Sequence, residues 1–123
     1  MPVIVAIALG GAGGSVLRYY VGRTMQGAAS SGFPLGTLVV NVVGCLIVGA
    51  LSRWLLAHDA SRVLHAALIV GFCGGFTTFS AFSLETVGLL SGGAPGKAFA
   101  YIGATIVACI LATAIGFFAL PAR

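Results

Sequence analysis

Four long apolar stretches divide the chain. They cover residues 3–23, 35–56, 62–90 and 97–120, and short segments rich in glycine, serine, proline or charged residues separate them. A helix that crosses the hydrocarbon core of a bilayer needs about 20 predominantly apolar residues, so each stretch is long enough for one span. The pattern therefore predicts an all-α integral membrane protein, in which residues 1–123 form a single domain of four transmembrane helices.

The third stretch is too long for one straight span. At about 1.5 Å per residue, a continuous helix over residues 62–90 would extend more than about 40 Å, against a hydrocarbon core of roughly 30 Å. Its middle reads GFCGGFTTFS, from Gly71 to Ser80. Adjacent glycines followed by threonines are poor helix formers. We therefore predict that the third transmembrane helix is broken mid-membrane, near Gly74 to Thr78.

The composition supports a membrane protein and excludes other classes. Hydrophobic residues make up 59% of the chain and charged residues 7%, and the mean hydropathy is +1.14, whereas soluble domains carry roughly 25% charged residues. The net charge is +4, but the basic residues are scattered singly. Nucleic-acid binding requires a basic patch or stripe, so no nucleic-acid partner is expected. The cysteines and histidines lack metal-ligand spacing, and no nucleophile–base constellation indicates an enzyme.

The charges that flank the predicted spans show no bias between the two sides of the membrane. One side has Arg53, Arg62 and Arg123, and the other has Arg18, Arg23 and Lys97. An excess of arginine and lysine normally sets the orientation. Either Arg18 is buried and does not count, which leaves a slight bias, or the chain inserts in both orientations. We favour dual insertion, which would permit an antiparallel homodimer with dual topology.

Two rows of small and polar residues recur at every fourth position, which places each row on one helical face. The rows are Thr37, Asn41, Cys45 and Gly49 in the second span, and Tyr101, Thr105, Cys109 and Thr113 in the last. Polar groups inside a membrane usually face protein or water. Asn41 can hold two helices together or serve a transport path. The hydroxyls of the last span can bond back to their own helix or line a pore.

Small residues at the same spacing predict close helix packing. They are Gly10 and Gly14 in the first span, and Ala100, Ala104, Ala108, Ala112 and Gly116 in the last. Arg18 follows Gly14 within two turns and lies near one membrane edge. Its side chain either extends toward the lipid headgroups or attracts an anion.

Phenylalanines in the third span alternate with hydroxyl residues directly after the predicted break. The phenylalanines are Phe72, Phe76, Phe79 and Phe82, and the hydroxyl residues are Thr77, Thr78, Ser80 and Ser83. A phenylalanine stripe alone most often faces lipid or core. An aromatic ring has a positive edge, however, so ring edges and hydroxyl donors together can face an anion. Unwound carbonyls at the break can hold a cation, because irregular backbone at this depth must be buried in protein or line a cavity.

Three segments resemble the Fluc (CrcB-like) family of fluoride channels. They are GGAGGSVLRY at Gly10 to Tyr19, GTLVVNVVG at Gly36 to Gly44, and GFCGGFTTFSAF at Gly71 to Phe82. The resemblance covers essentially the whole chain in length, number of spans and order of segments. It implies an antiparallel, dual-topology homodimer with two fluoride pores and a structural Na⁺ ion at the dimer centre.

The resemblance also implies roles for individual residues. Ring edges of Phe79 and Phe82 would line the fluoride path, with Asn41 as amide donor. Hydroxyls along that path would come from Ser80, Thr37, Tyr101 and Thr105. Backbone carbonyls of Gly74 and Thr77 would hold sodium, and Arg18 would lie near the vestibule. Glu85 would lie near the far end of the pore. Two positions depart from the family pattern, since Cys109 stands where a hydroxyl would extend the polar row and Ala81 where threonine is common.

The sequence thus predicts a multi-pass protein of the cell membrane that conducts fluoride passively and selectively. Its partners would be the fluoride ion, the lipid bilayer and a second copy of the chain. Export of cytoplasmic fluoride would reduce fluoride toxicity. One alternative is a proton-coupled cation antiporter of the small multidrug type, which would need a carboxylate deep in a span. The other is a non-transporting scaffold subunit of a membrane assembly.

Overall fold

The computed structural model describes residues 1–29 and 31–121, so Arg123, counted above among the flanking charges, lies outside the described residues. The helices in chain order are α1 (Val3–Ala28), α2 (Leu35–Ala57), α3 (62–76), α4 (Phe79–Ser91) and α5 (Pro95–Ala119). Within the described residues, four helical segments are long and apolar enough to cross a membrane: α1, α2, α3 together with α4, and α5. The prediction of an all-helical membrane protein with four spans is confirmed at this level.

The third span contains two departures from regular α-helix. Within α3, the stretch Ala66–Cys73 is π-helical, between α-helical turns at Arg62–His65 and Gly74–Phe76. Nothing in the apolar pattern predicts this unusually long π-helical stretch. The chain then leaves helical geometry at Thr77 and Thr78 before α4 begins. Gly74 is itself helical, with φ −63° and ψ −37°, so the interruption lies at the threonines and not at the glycines. Its depth in the membrane stays a prediction.

Glycines allow two pairs of helices to approach closely. A side chain at Gly10 would collide with the Ala67 carbonyl, and one at Gly14 with the Phe72 carbonyl, so α1 packs backbone to backbone on α3. In the same way Gly49 of α2 meets the Thr113 carbonyl of α5. These contacts fix the faces that α2 and α5 turn toward each other.

The small-residue ridge of α5 is only partly buried within the chain. Ala112 and Gly116 pack against α2, whereas Ala100 and Ala104 are exposed. The buried face of α5 is instead formed in its first half by Tyr101 and Thr105. In the first half of α5, the polar row therefore packs against the rest of the chain, whereas the alanine ridge is exposed.

Candidate functional site

A side-chain amide from α2 spans the interruption between α3 and α4. The Thr78 N–H donates to Asn41 Oδ1 over 2.8 Å, and Asn41 Nδ2 donates to the Thr78 carbonyl oxygen over 2.9 Å. Both residues are buried. The amide therefore satisfies two backbone groups that the interruption removes from the helix. Because an amide carries two N–H groups, one Asn41 donor remains beyond this pairing.

The hydroxyl of Thr78 caps the start of α4. Thr78 Oγ1 accepts a hydrogen bond from the Ala81 N–H over 3.1 Å and lies 3.2 Å from Ser80 Oγ. Threonine is a favoured N-cap residue because its hydroxyl accepts from an otherwise unpaired N–H of the first turn. Ala81 takes part through its backbone, so the absence of a threonine side chain there does not affect the cap.

Two carbonyl groups lose their helical donors at the interruption. In an α-helix the N–H four residues ahead donates to each carbonyl. The Thr78 N–H turns to the α2 amide instead of Gly74, and the Ala81 N–H turns to Thr78 Oγ1 instead of Thr77. Gly74 and Thr77 are the residues predicted to hold sodium. Arg18 Nη1 makes a long contact of 3.5 Å with the Thr77 carbonyl oxygen.

The freed carbonyls fit the chemistry of a hard cation, which prefers oxygen ligands. Across residues 1–29 and 31–121, no group of three or more His, Cys, Asp or Glu side chains is placed to hold a metal ion. A cation at the interruption would therefore rest on backbone oxygens.

A cavity of about 300 Å³ lies beside the interruption, between α2, α4 and α5. Five of the predicted site residues line it: Asn41, Thr77, Phe79, Phe82 and Thr105. The Thr105 hydroxyl is buried and has no hydrogen-bond partner among the described residues. Thr105, whose hydroxyl lacks a partner, thus lines the same cavity as Asn41, which has a remaining donor, and two aromatic rings.

The two phenylalanines at the cavity differ sharply in exposure. Phe82 is 7% exposed and Phe79 is 77% exposed, although their ring centroids are only 5.4 Å apart. The Phe82 ring also packs 5.1 Å from the ring of Tyr101, tilted by 58°. The Phe82 ring is therefore held within the chain, whereas the Phe79 ring projects from it.

Glu85 accepts hydrogen bonds from two hydroxyl groups. Thr37 Oγ1 donates to Glu85 Oε1 and the Tyr101 hydroxyl donates to Glu85 Oε2, each over 2.7 Å. These contacts join α2, α4 and α5 around one carboxylate. The hydroxyl protons of Thr37 and Tyr101 thus point to Glu85, and not into the cavity that Phe79 and Phe82 line.

The rows of α2 and α5 run side by side in one register. Thr37 and Tyr101 share the Glu85 carboxylate, and three turns further on Gly49 lies against the Thr113 carbonyl. The same sequence offset relates both pairs, so the two helices are parallel. The pairs between them, Asn41 with Thr105 and Cys45 with Cys109, all line the cavity beside the interruption.

Arg18 lies apart from the two phenylalanines. It lines a second cavity of about 180 Å³, with Thr37 and Thr78 among the other residues. Ser80 is exposed at the start of α4. The predicted site residues therefore do not all meet in one cavity, since Arg18 and Thr37 line the second cavity and not the first.

Two residues at the site had no assigned role in the sequence. Thr78 pairs with Asn41 and caps α4. The signal for the cap in the sequence is the position of Thr78 directly after the predicted break and before a helix. Cys45 lines the cavity with Cys109. Its place in the fourfold row of α2 indicated the face, but the sequence did not show which residue of α5 it meets.

Comparison with known proteins gives the family. Residues 5–117 match the family described as CrcB-like protein, Camphor Resistance (CrcB). The chain belongs to the CrcB family. The prediction of family membership is therefore confirmed, and so is that of a multi-pass protein of the cell membrane.

Several relatives in the CrcB family carry the name fluoride-specific ion channel FluC. One from Rhizobium johnstonii is 48% identical over 83% of this chain and 82% of its own length. Another from Thermus thermophilus is 43% identical over 90% of this chain and 87% of its own. A third, from Pseudomonas fluorescens, is 43% identical over 92% of each chain. All three are named as channels, a non-enzymatic function.

Proposed function

We propose that this chain forms a passive, fluoride-selective channel through which cytoplasmic fluoride leaves the cell, so that fluoride toxicity falls. The observation that carries the proposal is the donor set of the cavity beside the interruption. It combines the unpartnered Thr105 hydroxyl, the remaining N–H of Asn41 and the fixed ring of Phe82. The names of relatives that match most of the chain supply the identity of the ion.

The donor set suits a small, strongly hydrated anion. Fluoride holds its water tightly, so a path through the protein must replace that water with hydrogen-bond donors and positive ring edges. Thr105 and Asn41 offer such donors in a buried place where an anion gains more from each of them than in water. A narrow site of this kind rejects the larger chloride by size.

The path extends along the parallel rows of α2 and α5. The Thr37–Tyr101 level, closed by Glu85, forms one end of it, and the Asn41–Thr105 level lies one turn further. Ser80 contributes its exposed hydroxyl at the start of α4. Arg18 lines the second cavity, and its positive charge attracts anions toward the vestibule.

The functional unit is an antiparallel homodimer with dual topology. Gly74 is exposed and Thr77 is half-buried at the interruption, yet irregular backbone cannot face lipid within a bilayer. A second copy would cover this backbone at mid-membrane together with the exposed Phe79 ring. The even distribution of basic residues supports insertion in both orientations. The alternative, a slight charge bias between the two sides, requires Arg18 to be buried, and Arg18 is half-buried.

A structural Na⁺ ion occupies the dimer centre in this proposal. The Gly74 and Thr77 carbonyls, which lack helical donors, would hold it, and a symmetric second copy would supply the same pair. The fixed positive charge would offset part of the cost of bringing fluoride into a region of low dielectric.

The two alternatives are less well supported. Proton-coupled cation exchange needs a carboxylate that is free to exchange its proton, and both oxygens of Glu85 already accept hydrogen bonds. A scaffold subunit has no use for an unpartnered hydroxyl in a cavity. The family relatives named above are ion channels, which favours neither alternative.

A pair of phenylalanine variants tests the proposed path. In proteoliposomes that contain purified dimer, Phe82→Ile should abolish fluoride efflux because it removes the fixed ring edge. Phe118→Ile is the matched control, since Phe118 is exposed on α5 away from the cavity beside the interruption. Equal fluoride efflux from the two variants would contradict the path.

A further inference from the structure

The thiols of Cys45 and Cys109 are neighbours in the wall of the cavity beside the interruption. The parallel register of α2 and α5 places the two residues at the same level, one turn beyond Asn41 and Thr105. The two side chains lie within interaction range of each other. Both also line a further cavity of about 410 Å³ on the opposite side, toward Phe117. The pair therefore lies between two cavities.

Neither thiol is committed to another covalent bond, and neither is fully buried. All three cysteines of the chain are free, with Cys45 and Cys109 partly exposed and Cys73 buried. Glycine contacts one turn away, between Gly49 and Thr113, hold α2 and α5 together. The separation of the two sulfur atoms is thus set by rigid packing and not by a flexible loop.

We propose that Cys45 and Cys109 form a two-thiolate site for a soft, thiophilic cation in the wall of the ion pathway. Soft cations prefer thiolate ligands to the hydroxyl, amide and carbonyl groups that make up the rest of the cavity. Such ions accept two ligands, so the lack of a larger ligand cluster among the described residues does not exclude the site. This chain has the site because Cys109 stands where a hydroxyl would extend the polar row.

Binding of Hg²⁺ illustrates the chemistry. Two S–H bonds break, two S–Hg bonds form, and two protons leave to solvent, with no change of oxidation state. The product is a neutral S–Hg–S bridge between α2 and α5, and the bound metal projects into the path. Its effect on transport rests on the proposed function, and we expect the bound cation to stop fluoride movement past the Asn41–Thr105 level. The opposing interpretation is that the two thiols only fill space as small apolar groups.

Mass spectrometry and thiol counting test the site without reference to transport. Purified wild-type protein is treated with one equivalent of mercuric chloride, washed with a monothiol, and denatured. We expect one Hg²⁺ on each denatured chain with the loss of two protons, and a fall in free thiols from the three of the sequence to one. Cys73→Ala should retain the ion and lose both remaining thiols.

Cys45→Ala and Cys109→Ser should lose the ion in the monothiol wash, because each leaves only one thiol at the site beside the separate, buried Cys73. Each variant is first checked for the same dimer elution as wild type, and the two serve as independent removals of the pair. Retention of Hg²⁺ by either variant, or loss of only one thiol per ion in wild type, would overturn the site. So would an ion that bridges two denatured chains.

Fluoride efflux from proteoliposomes then tests the position of the site in the path. Mercuric chloride should reduce wild-type efflux to the rate of protein-free vesicles, and a dithiol should restore it. Efflux through Cys45→Ala and Cys109→Ser, each compared with its own untreated rate, should persist. Unchanged wild-type efflux with one bound Hg²⁺ per chain would overturn the placement in the path. Absence of any fluoride efflux, with the same Hg²⁺ stoichiometry, would instead overturn the proposed function and leave the metal site intact.

Discussion

Asn41 and Thr78 exchange two hydrogen bonds, so that one side chain replaces the backbone partners that the interruption between α3 and α4 removes. The exchange joins α2 to the point where the third span changes course. It also turns the Thr78 N–H away from Gly74 and thereby frees a carbonyl. The geometry that supports the proposed cation site thus depends on the same amide that supports the proposed anion path.

Replacing Asn41 tests this double role. Asn41→Ala leaves a buried N–H and a buried carbonyl of Thr78 without partners, and each such group costs about 1–3 kcal/mol. We expect a lower midpoint of thermal unfolding for the purified dimer, together with loss of fluoride efflux. Asn41→Asp keeps an acceptor for the Thr78 N–H but sets an oxygen against the Thr78 carbonyl oxygen, so it should be destabilised as well. Equal unfolding midpoints for wild type and Asn41→Ala would contradict the pairing.

Thr105 offers a way to separate stability from transport. Its buried hydroxyl has no partner among the described residues, so Thr105→Val removes no hydrogen bond within the chain. We expect the unfolding midpoint of Thr105→Val to equal or exceed that of wild type while fluoride efflux falls by about tenfold, the effect of about 1.4 kcal/mol. Thr105→Ser keeps the donor and should conduct. Wild-type efflux through Thr105→Val would show that the hydroxyl does not contact the ion.

The hydroxyl of Tyr101 orders the carboxylate at one end of the path. Tyr101→Phe removes one of the two hydrogen bonds to Glu85 but keeps the ring that packs on Phe82. A hydrogen bond to a charged group contributes about 1.5–3 kcal/mol, so efflux should fall by about tenfold or more. The loss should not be larger than that of Phe82→Ile. Fluoride efflux equal to wild type would show that the Glu85 contact has no part in conduction.

Sodium removal tests the proposed ion at the dimer centre. A ligand that binds only the assembled protein at about a hundredfold above its Kd adds about 2.7 kcal/mol of stability. We therefore expect the dimer to unfold at lower temperature when sodium is replaced by a large organic cation, with potassium as the comparison of equal charge and larger radius. Unfolding that is the same in all three salts would contradict a specific sodium site.

Much of this fold follows from local sequence patterns. The four apolar stretches predict the helices because a span is recognised by the length and hydrophobicity of its own stretch. The run from Gly74 to Thr78 predicts an interruption, which lies at Thr77 and Thr78. Gly10 and Gly14 predict close helix packing because only small residues allow it, and the structure shows that the partner is α3. These features depend on neighbours in the sequence.

Other features depend on tertiary contacts that the sequence pattern does not contain. The interruption lies at Thr77 and Thr78 because Asn41, far away in the chain, accepts from the Thr78 N–H. The two adjacent glycines stay helical. The family resemblance predicts Glu85 near the far end of the pore. Its contacts with Thr37 and Tyr101 depend on how three helices align, which the sequence pattern does not show. The π-helical stretch Ala66–Cys73 likewise had no counterpart in the apolar pattern.

The most direct test of the central claim is the comparison of fluoride and chloride efflux from the same proteoliposomes, each followed with its own ion-selective electrode. Wild-type dimer should release fluoride rapidly down its gradient, without an added energy source, while chloride remains inside. Release of both ions at similar rates, or no release of fluoride from correctly assembled dimer, would contradict a passive, fluoride-selective channel.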